Sequence, residues 1–168
     1  ITDPPWPGCK INVGWDGDGW WGRVVEHMER LVGARGKVIV VAGSDVDPRL
    51  ITGSFTLPFV HMGWMRWKPA RPKGNIFYSG DVFYEFGRGF CPKGRRILFQ
   101  EAGPQSNKWR DYHGHKCPRN LGHMRWLVDT QVGPGRRVLD PFSGIGTTSV
   151  ACVHAGTECV SIEIDEKW

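Results

Sequence analysis

Residues 137–164 constrain the fold more than any other stretch of this chain. A short apolar strand at 137–139 leads into a glycine-bearing turn. A helix over 144–155 follows, stopped by Gly156, and then a second apolar strand over 158–164. Two parallel strands joined by a helix form a right-handed βαβ unit, which places the chain in the α/β class. The turn reads Asp140, Pro141, Phe142, Ser143, Gly144, Ile145, Gly146, Thr147, Thr148. Glycines between a strand and a helix let backbone approach a ligand at the helix N-terminus. Glu163 lies 19 positions beyond Gly144 at the end of the second strand, where a carboxylate can take both hydroxyls of a ribose. Ser149 stands where a dinucleotide motif has its third glycine, and Asp140 would repel a phosphate. An adenosine ligand bearing an amino group fits this turn better than a dinucleotide.

The rest of the chain supports the same class. Trp21, Val24, Val25, Met28, Leu31 and Val32 recur at helical spacing, with Arg23, Glu26, Glu29 and Arg30 opposite, and Gly33 follows. This predicts an amphipathic helix over 18–32 with a glycine stop. The unbroken run KVIVVA at 37–42 predicts a strand buried on both faces. Residues 43–105 are rich in Gly, Pro and aromatics, with strands expected near 59–67, 82–86 and 96–99 in a hairpin-like region. A second helix is expected from Pro118 to about residue 130, closed by Gly133, Pro134 and Gly135. At 168 residues the expectation is a single domain. Its sheet is mostly parallel with helices on both faces, and an antiparallel hairpin lies at one edge.

Composition narrows the setting. Hydrophobic residues at 40% and charged residues at 23% are those of an ordinary globular protein. A net charge of +5 leans towards a polyanionic partner. The five cysteines are scattered without a CxxC pair, which argues against a disulfide framework or zinc ribbon and for a reducing, cytoplasmic setting. No apolar run nears the roughly 18 residues that span a bilayer, and no signal pattern opens the chain, so neither export nor a membrane is expected. His113, His115 and Cys117 lack a fourth ligand nearby, so no metal is assigned.

The other diagnostic string is Thr2, Asp3, Pro4, Pro5, Trp6, Pro7. Together with the turn at 140–148 and the SIEIDEKW ending, it resembles the amino-methylating DNA methyltransferases. These carry a (D/N/S)PP(Y/F/W) tetrapeptide and an acidic-Pro-Phe start before a GxGTT turn. The order of the two motifs is similar to the β-class, circularly permuted members. The resemblance implies a Rossmann-like class I methyltransferase fold and S-adenosylmethionine as cofactor. It implies that Asp140, Phe142, Gly144, Gly146 and Thr147 hold the cofactor's methionine end and Glu163 its ribose, with Ser143, Thr148 and Ile164 also among the cofactor-binding residues. Lys116 is carried over from a Lys-Pro pair that Cys117 interrupts. Asp3, Pro4, Pro5 and Trp6 would form the catalytic tetrapeptide, with Asp3 and the Pro4 carbonyl accepting the two amino N–H bonds and Trp6 stacking on a flipped base. Asp165 can instead be read as a helix N-cap.

Asp at the head of the tetrapeptide favours N6 of adenine in DNA; cytosine N4 and RNA are the alternatives, as is a non-catalytic nucleic-acid-binding domain. Trp64, Arg66, Trp67, Lys68, Arg71 and Lys73 alternate basic and aromatic character, as a nucleic-acid contact surface would, although a solvated basic hairpin has the same pattern. No separate target-recognition domain fits, so residues 43–105 are the expected recognition region, beside the cofactor region 112–168. The resemblance suggests a bacterial or phage-encoded enzyme acting as a monomer or homodimer. The family pattern also places a strand ahead of the tetrapeptide and a helix after Trp168, both expected to lie outside this chain.

Overall fold

The computed structural model describes residues 1–5, 19–73, 76–88, 99–102 and 118–167. Helix α1 (Trp20–Val32) ends where Gly33 turns to φ 59° and returns its N–H to the Glu29 carbonyl, as the glycine stop predicts. Strand β1 (Lys37–Gly43) follows, then the single turn α2 (Arg49–Thr52). Strands β2 (Phe59–Lys73) and β3 (Ile76–Gly87) form a long antiparallel pair, and β4 (Phe99–Ala102) lies parallel to β2. Helix α3 (Leu121–Leu127) continues as a wider turn over Val128–Val132. Strand β5 (Arg137–Asp140), helix α4 (Thr147–Ala155) and strand β6 (Glu158–Ser161) complete the order.

The βαβ unit is present: β5 and β6 pair in parallel across α4. The N-terminal residues join this pair to the other strands. Thr2 bridges Val40 in parallel, donating to the Ile39 carbonyl at 2.9 Å and accepting from Val41 at 2.8 Å. On its other side, the Ile1 nitrogen donates to the Leu139 carbonyl at 3.0 Å. The order across the molecule is therefore β6, β5, residues 1–2, β1, β3, β2, β4, with β3 antiparallel to both its neighbours.

Strand β1 is buried on both faces, as its unbroken apolar run predicts. Val38, Val40 and Ala42 pack with Val25 and Met28 of α1 and with Val82, Tyr84 and Phe86 of β3. Ile39 and Val41 face the other way, onto Met65, Phe83, Met124, Leu127, Ala151 and Cys152, so α3 and α4 cover the second face. Burying such side chains stabilises by about 1.5–3 kcal/mol each.

Several boundaries differ from the expected ones. Strands β2 and β3 reach well beyond 59–67 and 82–86 into a Pro-bearing stretch. A register shift between Arg66 and Arg71 absorbs the irregularity, and the pairing resumes as Arg71 with Tyr78 and Pro72 with Phe77. Gly80, opposite Arg66, permits this approach, since a Cβ there would lie 2.3 Å from the Met65 carbonyl oxygen. Helix α3 starts at Leu121 rather than Pro118, because Asn120 caps it by accepting the His123 N–H at 3.2 Å. Helix α4 begins at Thr147 and β6 stops at Ser161, so residues 144–146 and 162–164 belong to loops.

Candidate active site

The two signature strings arrive at neighbouring strand ends. Asp140 is the last residue of β5, and residues 1–2 lie between β5 and β1, so Asp3 leaves the sheet beside Asp140. In α/β sheets the crevice at the strands' carboxyl ends, where the connections diverge, is the ordinary ligand site.

The glycine turn is closed by its own carboxylates. Asp140 is buried, accepts the Phe142 N–H at 3.1 Å and takes a hydrogen bond from the Thr148 side chain. Burial pushes its carboxyl above the usual carboxylate range; the Thr148 and Phe142 hydrogen bonds pull against that, while Glu163 adds to the push. Gly144 and Gly146 take positive φ values of 49° and 77°, conformations a side chain would strain. Thr147 and Thr148 are buried in the first turn of α4. Ser143 donates its N–H to the Ile162 carbonyl at 3.0 Å. Glu163 crosses the mouth of the turn, accepting from Gly144 N–H at 2.7 Å through Oε2 and from Ile164 and Asp165 N–H at 2.9 and 3.0 Å through Oε1. The Ile164 side chain is exposed. Asp165 accepts the Lys167 N–H at 3.0 Å, a local turn in which residues 166–167 are not helical.

Phe142 points to a neighbour that sequence reasoning did not single out for this site. Its ring centroid lies 5.6 Å from that of Trp20, the first residue of α1. The helix that follows the tetrapeptide in sequence thus touches the glycine turn.

Asp3 has a further partner without a local signal in the sequence, and through it a link to Asp81. Arg119, just ahead of the α3 cap, bonds both Asp3 oxygens, Nε to Oδ2 and Nη2 to Oδ1, and its Nη1 meets Asp81 Oδ1 at 2.8 Å. Burial pushes the Asp3 carboxyl upward, the Arg119 guanidinium pulls it down, and Asp81 and Asp140 add smaller upward pushes. Asp81 carries one available clue: it is an acidic residue at the head of a largely apolar run in β3, buried on the same face as Phe83 and Glu85. Pro4 is buried and Pro5 partly so. Trp6 and Lys116 lie outside the described residues.

Of the expected nucleic-acid surface, Trp64 and Arg66 stand exposed on β2. Trp67, Lys68, Arg71 and Lys73 continue along the β2 backbone, their side chains outside the described residues. A separate cavity of about 540 Å³ beneath α1, lined by Leu31, Val32, Val138 and Val160 among others, includes none of Asp3, Asp140, Phe142, Gly144 or Glu163. Among the described residues no group of His, Cys, Asp and Glu is arranged to hold a metal, and no helix is long and apolar enough to cross a membrane.

Residues 56–168 match the family model described as DNA methylase, N6_N4_Mtase. This chain belongs to that DNA methylase family. Its glycine turn and Glu163 fall inside the matched range, whereas the tetrapeptide precedes it. The Type II methyltransferase M.SmaI of Serratia marcescens is 54% identical over 51 residues, which are 30% of this chain and 17% of that enzyme. The chain covers only 17% and 34% of the lengths of the two curated relatives it matches. The crystal structure of the M1.HpyAVI-SAM complex aligns with all of this chain and 82% of its own, at a TM-score of 0.75 and 18% identity. The PvuII DNA methyltransferase (cytosine-N4-specific) aligns with 98% of this chain and 74% of its own, at 0.65 and 12%. This member of the family therefore has the class I methyltransferase fold that its two motifs led one to expect.

Proposed function

We propose that this chain is a catalytic domain that transfers a methyl group from S-adenosylmethionine to the exocyclic amino nitrogen of a DNA base, with N6 of adenine as the acceptor. The observation that carries the reading is the meeting of Asp3 with the 140–148 turn at adjacent strand ends. The turn's chemistry suits this cofactor. Asp140 offers a buried carboxylate for its amino group, the left-handed glycines permit close approach, and Glu163, with Oε1 taken by the Ile164 and Asp165 N–H groups, keeps a lone pair on Oε2 for a ribose hydroxyl. When bound, S-adenosylmethionine supplies an electrophilic methyl carried on a sulfonium, whose departure as a neutral thioether needs no acid.

The protein's task is then the acceptor. An exocyclic amino nitrogen is weakly nucleophilic because its lone pair is delocalised into the ring. Asp3 and the Pro4 carbonyl, accepting its two N–H bonds, favour the pyramidal form that frees the lone pair. The methylated nitrogen returns to neutrality by releasing one N–H proton to solvent water, directly or by way of the Asp3 carboxylate that already accepts that N–H. Trp6, next in the chain, would stack on the base once it has left the duplex, offsetting part of an unstacking cost of a few kcal/mol. Asp rather than Ser at the head of the tetrapeptide supports adenine, and a net charge of +5 with Trp64 and Arg66 exposed on β2 supports a polyanionic substrate.

The test is transfer of a labelled methyl from S-adenosylmethionine to unmodified DNA by the full-length protein, with nucleoside analysis of the product. N6-methyladenine is expected, and Asp3→Ala abolishes it while cofactor affinity holds. N4-methylcytosine would replace the base and keep the mechanism. Cofactor binding without transfer to DNA would overturn the reading in favour of RNA or a binding-only role.

A further inference from the structure

We infer that Arg119 is the positioning residue of the reaction: it holds the Asp3 carboxylate aimed, with Asp81 anchoring it from behind. This rests on the reading of Asp3 as the acceptor of the amino N–H. The geometry is that of a fork. Nε and Nη2 bond the two Asp3 oxygens while Nη1, on the far side of the guanidinium, bonds Asp81 at 2.8 Å. Asp81 is 2% exposed, against 23% for Arg119 and 22% for Asp3, so the anchor is buried and the working carboxylate still reaches the surface.

A guanidinium is planar and stays charged, so a two-point contact fixes the carboxylate plane as well as its distance. It takes one lone pair from each oxygen. A carboxylate offers about four acceptor sites, so two remain for a substrate N–H. Arg119 therefore orients Asp3 without blocking it. The arginine is itself anchored through the backbone. Asn120, the next residue, caps α3 through the His123 N–H, and His123 Nε2 makes a 3.1 Å hydrogen bond to the Arg66 carbonyl on β2. Tetrapeptide, β3 and the start of α3 are thus locked together at one guanidinium.

The electrostatic need is visible around Asp3. Among the described residues, the charged groups facing it are Arg119 ahead of α3, Asp81 on β3 and Asp140 at the end of β5, two carboxylates and one cation. Without the cation, burial and two like charges all favour a protonated Asp3, which would lose acceptor capacity.

The test compares wild type, Arg119→Gln and Arg119→Lys in the full-length protein, by the pH profile of single-turnover methyl transfer and by a carboxyl-carbon NMR titration of Asp3 assigned with Asp3→Asn. In Arg119→Gln the rate near neutrality should fall by about 100-fold, the scale of a misplaced catalytic group. The acidic limb of the profile and the Asp3 titration should both move up by about one pH unit or more. Arg119→Lys, which keeps the charge and loses the fork, should restore the titration but only part of the rate, and it serves where Arg119→Gln does not fold. S-adenosylmethionine affinity should stay within about threefold, because the bonds that make the fork go to Asp3 and Asp81 rather than to the glycine turn. An Asp3 titration unmoved in Arg119→Gln, or a rate lowered equally at every pH, overturns the inference. If the Asp3 titration shifts but wild type transfers no methyl to DNA, the functional reading fails while the hold on Asp3 stands.

Discussion

Glu163 holds the Gly144 N–H at 2.7 Å across the mouth of the glycine turn, tying the loop after β6 to the loop before α4. The residue that the motif assigns to the ribose is thus also the clasp of the turn it serves. Its other oxygen takes the N–H groups of Ile164 and Asp165, so the carboxylate is oriented before any ligand arrives.

This dual role sets the outcome of Glu163→Ala. A hydrogen bond to a charged group contributes about 1.5–3 kcal/mol, so losing one ribose contact alone should raise the S-adenosylmethionine dissociation constant between about 10- and 150-fold. Glu163→Gln, which can still accept from Gly144, should fall between. Calorimetric titration measures both, and an unchanged constant in Glu163→Ala would remove Glu163 from the site.

Asp140 should trade stability for binding. Its folded pKa is raised above the ordinary 3.8 by burial, so the folded state prefers the protonated form. The stability this provides is full below the unfolded pKa and is lost as pH rises through the folded one. At neutral pH wild type therefore carries the cost of an ionised buried carboxylate. Asp140→Asn, which does not titrate, should melt at or above the wild-type temperature near neutrality, and this advantage should disappear in acid. Its affinity for S-adenosylmethionine should nevertheless drop, since the charge facing the ligand's amino group is gone. Melting curves across pH decide the first point; a variant less stable at neutral than at acid pH, relative to wild type, would contradict it.

Much of this was legible in the sequence, for a physical reason. The KVIVVA run and the strand, glycine turn, helix and strand of the C-terminal region are local patterns whose burial or backbone demands are written in consecutive residues. The pairing of Arg119 with Asp3 spans 116 positions, and nothing in the neighbours of either residue encodes it. Strands β2 and β3 outran their expected ends because Pro69 and Pro72 read locally as breakers, while the pairing shifts register between Arg66 and Arg71. The start of α3 was misplaced because Pro118 is a plausible first-turn residue, and the Asn120 side chain, capping His123, decides the matter.

Trp20 should report on the turn. Its contact with Phe142 is of a kind that contributes about 0.5–1.5 kcal/mol beyond buried area. Trp20→Ala should therefore weaken S-adenosylmethionine binding by about three- to tenfold, while Trp20→Phe, which keeps an aromatic face, should stay near wild type. Equal losses in both variants would show that the indole does something other than pack on Phe142.

The exposed side of β2 yields a prediction that separates DNA contact from cofactor contact. Arg66 is exposed, and it is the Arg66 backbone carbonyl, not the side chain, that receives His123, so Arg66→Ala leaves the tie between β2 and α3 in place. If the guanidinium meets a phosphate, the variant should bind DNA more weakly whatever the sequence, and the slope of log affinity against log salt should shrink by about one. Trp64 is 41% exposed two residues earlier on the same strand face. Stacking on a base is worth about 1–3 kcal/mol, so Trp64→Ala should weaken binding to single-stranded DNA with little change in salt slope. Both variants should bind S-adenosylmethionine like wild type, because neither residue belongs to the glycine turn. Fluorescence anisotropy over a salt series reads the two effects apart. A salt slope unchanged in Arg66→Ala would take this strand out of the phosphate path and leave recognition to residues elsewhere in 43–105.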